Sequence, residues 1–348
     1  MNNSNYTCAV IGVGATVNSN GVKGGGHQIG YTHARTYHNE PRARLVAAAD
    51  INAENLAAFN TQFEVPHGFA DYREMYEKAK PDVVSICTYV GLHKQMIVDA
   101  ARAGVKAVIC EKPFVSTPAE LHEIDAVVKE TGLKLVLAHI RRYRPAFERA
   151  RELYTNGSLG QPMLCAAGIA GWDLSEWGSH WMDIFRFFHD DAPIAWVMGQ
   201  ARVRDARGYG HAMEDHGVVT WAFEGGGRGM LDGGHDLAGP WSMTLVGTEG
   251  TVRIRGEGEL VIDDTAGRRT ETFEMNGDKL WSDLLAGLLD WVEGGPEPTC
   301  GYGHTRGTAE LNLASYVSML RGDRIDLPLG LEPDIDQWPV NLLADRQR

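Results

Sequence analysis

A charged pair stands at the end of an apolar run, Val108-Ile109-Cys110-Glu111-Lys112-Pro113. If the run is a strand of an open α/β sheet, Glu111 and Lys112 lie at its carboxyl end, where such sheets bind their ligands. Pro113 restrains the backbone just after the lysine. A lysine partly desolvated beside a bound cationic ring has a lowered pKa, which suits proton transfer to or from a hydroxyl. The plainer alternative is a surface lysine that opens a loop.

The first apolar run, Cys8–Ile11, ends in Gly12-Val13-Gly14, the start of a Gly-x-Gly-x-x-Gly fingerprint. The third glycine is displaced: the best candidate is Gly30, after an apparent insertion over Ala15–Ile29. Asp50 closes the run Leu45-Val46-Ala47-Ala48-Ala49 and follows Gly30 by twenty residues. A carboxylate there accepts both ribose hydroxyls of an adenosine and repels a 2′-phosphate, so NAD is expected over NADP. The same residues would also suit a glycine turn in an unrelated α/β fold, with Asp50 as a helix cap. The insertion reads equally as a lid over the cofactor or as a solvated excursion.

Composition narrows the field. The chain has 348 residues, with 33 Lys plus Arg against 46 Asp plus Glu, a formal charge of −13. Such an acidic chain repels a phosphate backbone, so nucleic acid is not an expected partner. No apolar stretch approaches a membrane span, and the amino terminus lacks the pattern of a signal peptide. Five scattered cysteines offer no disulfide framework or zinc spacing, so the cytoplasm is the expected compartment and no metal is expected. Forty-one glycines are either slack linker or places where backbone approaches something closely.

The elements that must position these residues alternate. Strands are expected over Cys8–Ile11, Arg44–Ala49, Val83–Cys87, Ala107–Cys110 and Lys134–Ala138, all near-continuous apolar runs suited to parallel strands buried on both faces. Helices are expected over Gly30–His38, Ala53–Phe63, Tyr72–Lys78, His93–Ala103 and Pro118–Thr131, with Asn52, Asp71 and Thr117 as caps. From about residue 160 the chain reads as successive strands joined by glycine turns at Gly225-Gly226-Gly227 and Glu249-Gly250, followed by helices near Leu280–Glu293 and Arg306–Arg321. The fold class is therefore α/β: an amino-terminal doubly wound parallel sheet over 1–140, then an α+β domain over 141–348 with an open-faced, mostly antiparallel sheet.

Taken in order, several segments resemble the glucose–fructose oxidoreductase / inositol dehydrogenase / rhizopine-catabolism (Gfo/Idh/MocA) family. They are Ile86-Cys87-Thr88 leading to His93, Glu111-Lys112-Pro113, Arg142-Tyr143-Arg144-Pro145, Gly157-Ser158-Leu159-Gly160, and the run from Leu174 through Glu176, Gly178 and His180 to Asp183. The resemblance spans roughly residues 7–330. It implies a Rossmann domain that binds NAD and a second domain that binds a carbohydrate or polyol. It carries Lys112 and His180 over directly as catalytic residues; Glu176 stands where the family has Asp. If the turn before the helix continues it, Glu176 and His180 share a face. His180 would then be the acid/base and Lys112 the positioning and electrostatic partner. The cofactor would meet Gly12, Gly14, Gly30, Asp50, Thr88, Tyr89, His93, Glu111 and Lys112. Substrate contacts would come from Arg142, Trp172, Asp173, Trp177, Asp183 and His235. A homodimer or homotetramer is implied too, since an open sheet needs a cover.

Two departures stand out: Tyr89-Val90 replaces the family's proline-asparagine pair, and the insertion has no counterpart. Tyr89 is either a pocket rim or a loop aromatic. His211-Ala212-Met213-Glu214-Asp215-His216 looks like a metal cluster, but its spacing does not suit one helical face, and a solvated loop is expected. The leading function is an NAD-dependent dehydrogenase of a secondary hydroxyl. The alternative is an NAD-dependent glycoside hydrolase that works by transient oxidation and elimination. A cofactor-sensing regulator is disfavoured, because Lys112 and His180 are both present.

Overall fold

Apolar runs without alternation must be covered on both faces, and the first half of the chain meets that demand with helices. A computed structural model describes residues 6–14, 28–204, 206–207 and 211–347. The described order begins β1 (Tyr6–Ile11), α1 (Ile29–Asn39), β2 (Ala43–Ala49), α2 (Ala53–Phe63), β3 (His67–Phe69), α3 (Tyr72–Ala79), β4 (Val83–Ile86), α4 (Val90–Arg102), β5 (Ala107–Cys110), α5 (Pro118–Thr131) and β6 (Lys134–Leu137). The sheet runs β3-β2-β1-β4-β5-β6 with every pair parallel. The order reverses between β1 and β4, the switch point where doubly wound sheets take ligands. The expected caps form: the Asn52 side chain accepts from the amides of Glu54 and Asn55, Asp71 from Arg73, and Thr117 from Glu120. The insertion expected over Ala15–Ile29 lies outside the described residues, except for Gln28 and Ile29, where α1 begins.

The chain divides into two compact units, the first comprising Met1–Val115, His122–Ala138 and Gly277–Gly303. A single boundary at 140 does not describe that return. Its cause is α8 (Gly277–Val292), whose Leu280, Trp281, Leu284, Leu285, Leu288 and Leu289 form one buried stripe. Trp281 packs its ring 4.6 Å from that of His33, and Arg42 pairs with Asp290 at 2.6 Å. The Leu137 amide donates to the carbonyl of Cys300, so the returning segment also borders β6.

The second unit comprises Ser116–Leu121, His139–Asn276 and His304–Arg348. A 3-10 turn (Ile140–Tyr143) leads into α6 (Pro145–Thr155), with Pro145 in its first turn, then β7 (Pro162–Ala170), α7 (Gly178–Phe188) and β8 (Ile194–Arg202). A two-residue ladder pairs β9 (Ala206–Arg207) with β10 (His211–Ala212). There follow β11 (His216–Phe223), β12 (Arg228–Gly234), β13 (Ser242–Gly247), β14 (Thr251–Arg255), β15 (Glu259–Asp264), β16 (Gly267–Thr272), α9 (Tyr302–Arg321), β17 (Ile325–Asp326) and α10 (Pro339–Gln347). The nine-stranded sheet has the order β16-β15-β14-β13-β7-β12-β11-β8-β17. Only β7 and β12 pair in parallel, so the sheet is mostly antiparallel, with hairpins at both expected glycine turns.

The strands of this sheet alternate, as half-covered strands should. Val219, Trp221, Leu231, Cys165 and Leu245 are fully buried, and Phe185 of α7 packs its ring 5.8 Å from Trp221. On the other face Met198, Val218 and Met230 remain 40–50% exposed.

Candidate active site

The first group of site residues belongs to the parallel sheet. Gly12 has φ of +81°, and a Cβ built on it would lie 2.8 Å from both the Cys87 carbonyl and the Thr88 methyl. A Cβ on Gly30 would meet the Gly12 carbonyl at 2.8 Å. Glycine is therefore required at both positions, and it lets α1 begin directly against the turn. Gly14 also has positive φ, at +64°. Asp50 closes this arrangement. Its Oδ2 accepts from the amides of Val13 (2.9 Å) and Gly14 (3.2 Å), and its Oδ1 accepts from Asn52 at 2.8 Å. A carboxylate is thus fixed beside the glycine turn, more firmly than a cap of the next helix would be.

Thr88 lies two residues beyond the end of β4, and the exposed Tyr89 sits just ahead of α4. His93 is buried with its ring nitrogens 2.9 Å from the Thr88 carbonyl and 3.0 Å from that of Phe114. It therefore ties the end of β4 to the loop beyond β5. Glu111 is buried, and Lys112, partly exposed, follows it into a cis peptide with Pro113.

A network that sequence reasoning missed holds this corner. His33 of α1, itself buried, places Nε2 3.1 Å from Glu111 Oε1 and Nδ1 2.8 Å from Ser85 Oγ. Tyr37 OH lies 2.7 Å from the same Ser85 oxygen, and the Lys112 amide donates to Glu111 Oε2 at 3.3 Å. Burial alone would push the Glu111 carboxyl up; the His33 hydrogen bond, the His33 charge and neighbouring Lys112 outweigh it and hold the group below the usual range. Glu111 therefore stays ionised beside the lysine. The available signal was a serine inside the apolar run Val83-Val84-Ser85-Ile86, a polar group that needs a partner.

The second group belongs to the other unit. α7 starts at Gly178, so Glu176 lies in the turn before the helix and not on a shared helical face with His180. The reason is Asp173. Its Oδ1 accepts from Ser175 Oγ and from the amides of Glu176 and Trp177, and its carbonyl accepts from Gly178. A closed turn is thereby formed ahead of the helix. His180 and Glu176 are both buried. Rings surround the histidine: Trp177 at 5.9 Å, His139 at 6.2 Å and Trp181 at 6.4 Å between centroids. Trp172, 38% exposed, packs against Trp177 at 4.2 Å.

Arg142 and Asp183 are buried against each other. Arg142 Nε and Nη2 each donate to Asp183 at 2.8 Å, and its Nη1 and Nη2 donate to Asp191 at 2.9 and 2.7 Å. Burial pushes the Asp183 carboxyl up, but the charge of Arg142 and then His139 hold it below its ordinary value. His235 is exposed at the end of β12, beside an Asp236 that pairs with Arg204. Glu214 and Asp215, expected in a solvated loop, are fully buried. Asp215 takes the Arg204 amide at 2.8 Å, and Glu214 takes that of Leu174 at 2.9 Å. Among the described residues, no group of three or more His, Cys, Asp or Glu could hold a metal ion.

Comparison with known proteins decides the family. The Gfo/Idh/MocA profile, described as an oxidoreductase family with an NAD-binding Rossmann fold, matches residues 7–139, and the carboxy-terminal domain profile of the same family matches 147–253. The chain belongs to the Gfo/Idh/MocA oxidoreductase family. Among curated relatives of this Gfo/Idh/MocA protein, D-apiose dehydrogenase of Paraburkholderia graminis is 25% identical over 85% of the chain and 86% of that protein. The scyllo-inositol 2-dehydrogenase (NAD(+)) of Bacillus subtilis is 27% identical over 71% of the chain and 73% of that protein. The uncharacterized oxidoreductase YrbE of Bacillus subtilis is 27% identical over 61% of the chain, a match that spans only 65% of YrbE. The fold agrees with that of levoglucosan dehydrogenase in complex with NADH: TM-score 0.79, 18% identity, 93% of this chain and 100% of that one.

Proposed function

We propose that this family member is an NAD(H)-dependent oxidoreductase that oxidises a secondary hydroxyl of a sugar, inositol or related polyol, or reduces the corresponding ketone. The observation that carries the reading is His180, buried on α7 beside Trp177, Trp181 and His139 and preceded by a carboxylate-bearing turn. Aromatic faces suit the C–H faces of a sugar ring, and Trp172 is exposed enough to offer one. The names of the apiose and inositol dehydrogenases agree with that substrate class.

The glycine turn fits NAD. Gly12 and Gly30 leave space that any Cβ would fill, and Asp50 is held beside them as an acceptor for ribose hydroxyls. Its charge would repel a 2′-phosphate, which supports NAD over NADP. Gly14, Thr88, Tyr89 and His93 border or brace the same strand ends. When bound, NAD supplies the hydride acceptor. His180 takes the hydroxyl proton as general base and returns it in the reverse direction, with Glu176 carried by the turn just ahead of its helix. Lys112, backed by ionised Glu111, orients the hydroxyl and stabilises developing alkoxide charge. Trp172 and Trp177 hold the ring; Arg142, Asp173 and Asp183 act behind the surface as supports, and His235 is left as a peripheral contact.

A homo-oligomer joined through the open sheet face agrees with the exposure of Met198, Val218 and Met230. Thr220 lies in register between Met198 and Met230, so these residues form one patch. The five cysteines, all free and buried, agree with a reducing compartment such as the cytoplasm.

The test is turnover in His180→Ala and Lys112→Ala, each expected to fall by orders of magnitude while NAD still binds. Near-normal turnover in either variant would remove that residue from the mechanism. Accumulation of NADH, rather than release of an aglycone without it, separates the dehydrogenase from a hydrolase.

A further inference from the structure

Three stretches of chain meet behind Lys112, and a buried line of polar groups joins them. His33 and Tyr37 lie four residues apart on α1, so they share one face of the helix. Ser85 sits inside β4, in register with Val10 of β1 and Ile109 of β5. Glu111 follows β5, and its amide donates to the Ile86 carbonyl at 3.0 Å. From Tyr37 OH to Ser85 Oγ is 2.7 Å, from Ser85 Oγ to His33 Nδ1 is 2.8 Å, and from His33 Nε2 to Glu111 Oε1 is 3.1 Å. The other Glu111 oxygen accepts from the Lys112 amide at 3.3 Å. Trp281 packs its ring 4.6 Å from that of His33, so the imidazole is held at both nitrogens and by its ring.

We propose that His33 is the positioning residue for Lys112 and acts through Glu111. The proposal rests on the reading of Lys112 as the group that orients the substrate hydroxyl. An ionised carboxylate only accepts, so His33 Nε2 carries a hydrogen towards Oε1 and fixes the rotation of the carboxylate. Oε2 is thereby turned to the backbone of Lys112. Stability alone does not call for these groups, because replacing buried partners together by apolar groups of the same shape is close to neutral. What the polar line adds is direction.

The place of His33 on α1 gives the arrangement a second consequence. The helix begins against the glycine turn, where a Cβ on Gly30 would meet the Gly12 carbonyl at 2.8 Å. His33 stands three residues further on, about 4.5 Å along the helix axis. One turn of helix therefore sets both the glycine turn that fits NAD and the lysine that meets the hydroxyl. His33 keeps the two seats in register without itself taking part in the chemistry.

The test uses the full chain with His33→Leu, which removes the donor to Glu111, and His33→Gln, whose amide still supplies one. The first measurement needs no substrate: hydrogen exchange of the Lys112 amide is expected to be about tenfold faster in His33→Leu and close to the parent in His33→Gln. The second is NADH formation from whichever inositol or free sugar the parent oxidises fastest. His33→Leu should lower kcat by about tenfold while KM and the Kd for NAD stay within about threefold, and His33→Gln should recover most of the loss. Adding His33→Leu to Lys112→Ala should cost nothing beyond Lys112→Ala alone, since both act through one group. If His33→Leu does not fold, Ser85→Ala takes its place; with the ring one anchor short, exchange of the Lys112 amide should rise about threefold. Parent-like exchange in the variant that folds, or losses of kcat that multiply in the double variant, overturns the proposal. Parent-like turnover in Lys112→Ala would instead remove the functional reading, while the exchange result still judges whether His33 holds the lysine.

Discussion

Replacing Arg142 with methionine should destabilise the second unit by about 3 kcal/mol near neutral pH. The magnitude follows from what the guanidinium leaves behind. Arg142 is fully buried and donates four hydrogen bonds of 2.7–2.9 Å to Asp183 and Asp191. Removing one partner of a buried ion pair costs about 3–5 kcal/mol, mostly from the charge left uncompensated. Part is recovered here. Asp191 keeps His304 at 3.2 Å and Arg186 at 3.7 Å, and Asp183 keeps the Thr308 hydroxyl at 2.9 Å and His139 at 3.9 Å. The low end of the range therefore applies. The pH dependence gives a second check. In the parent, Asp183 is held below its ordinary value, so its stabilising contribution is present above the unfolded carboxyl pKa and lost as pH falls through the folded one. Without Arg142, burial pushes that carboxyl up and folding takes up a proton, so the variant's deficit shrinks as pH falls from about 7 towards 4. Urea unfolding followed by circular dichroism at both ends of that range measures it. A neutral-pH deficit under about 1 kcal/mol, or one that does not shrink on acidification, would refute the reasoning.

Three further outcomes are expected. Gly12→Ala forces a side chain into positive φ and within 2.8 Å of the Cys87 carbonyl, so it should cost about 1–3 kcal/mol and weaken NAD binding in calorimetric titration; parent-like affinity would contradict the assignment of the turn. The raised Glu214 carboxyl has the opposite sign to Asp183: the folded state binds the extra proton, so stability falls as pH rises from about 4.5 to 7, by up to about 3 kcal/mol, and Glu214→Gln should flatten that slope in chemical denaturation. Met198→Lys together with Met230→Lys should lower the mass of the proposed homo-oligomer to that of one chain in light scattering; a parent of single-chain mass would overturn that proposal, and an unchanged oligomeric mass in the variant would move the interface elsewhere.

Much of the fold was legible because its signals were local. Continuous apolar strands, the Asn52 and Asp71 caps and the glycine hairpins each need only a few adjacent residues. The edge strand β16, Gly-Arg-Arg-Thr-Glu-Thr, is polar throughout and carries no hydrophobic period, while β3 is three residues long. The return of α8 to the first unit was invisible because only packing against α1 and the Arg42–Asp290 pair reveals it. The same holds at the site. Motif order singled out Lys112 and His180, but His33 reaches Glu111 across seventy-eight residues and Tyr316 reaches Glu214 across one hundred and two. Glu176 was expected to extend a helix, yet Asp173 caps the preceding turn and ends that register. Supporting groups of this kind are chosen by tertiary contact, and no sequence period encodes them.

The central claim is tested most directly by absorbance of reduced cofactor, with NAD and with NADP, across a panel of inositols, free sugars, glycosides and sugar acids. The account predicts NADH formation with at least one cyclic polyol or sugar, a preference for NAD that Asp50→Ala relaxes, and loss of turnover but not of NAD binding in His180→Ala. Turnover in His180→Ala equal to the parent, or activity confined to NADP, would contradict it.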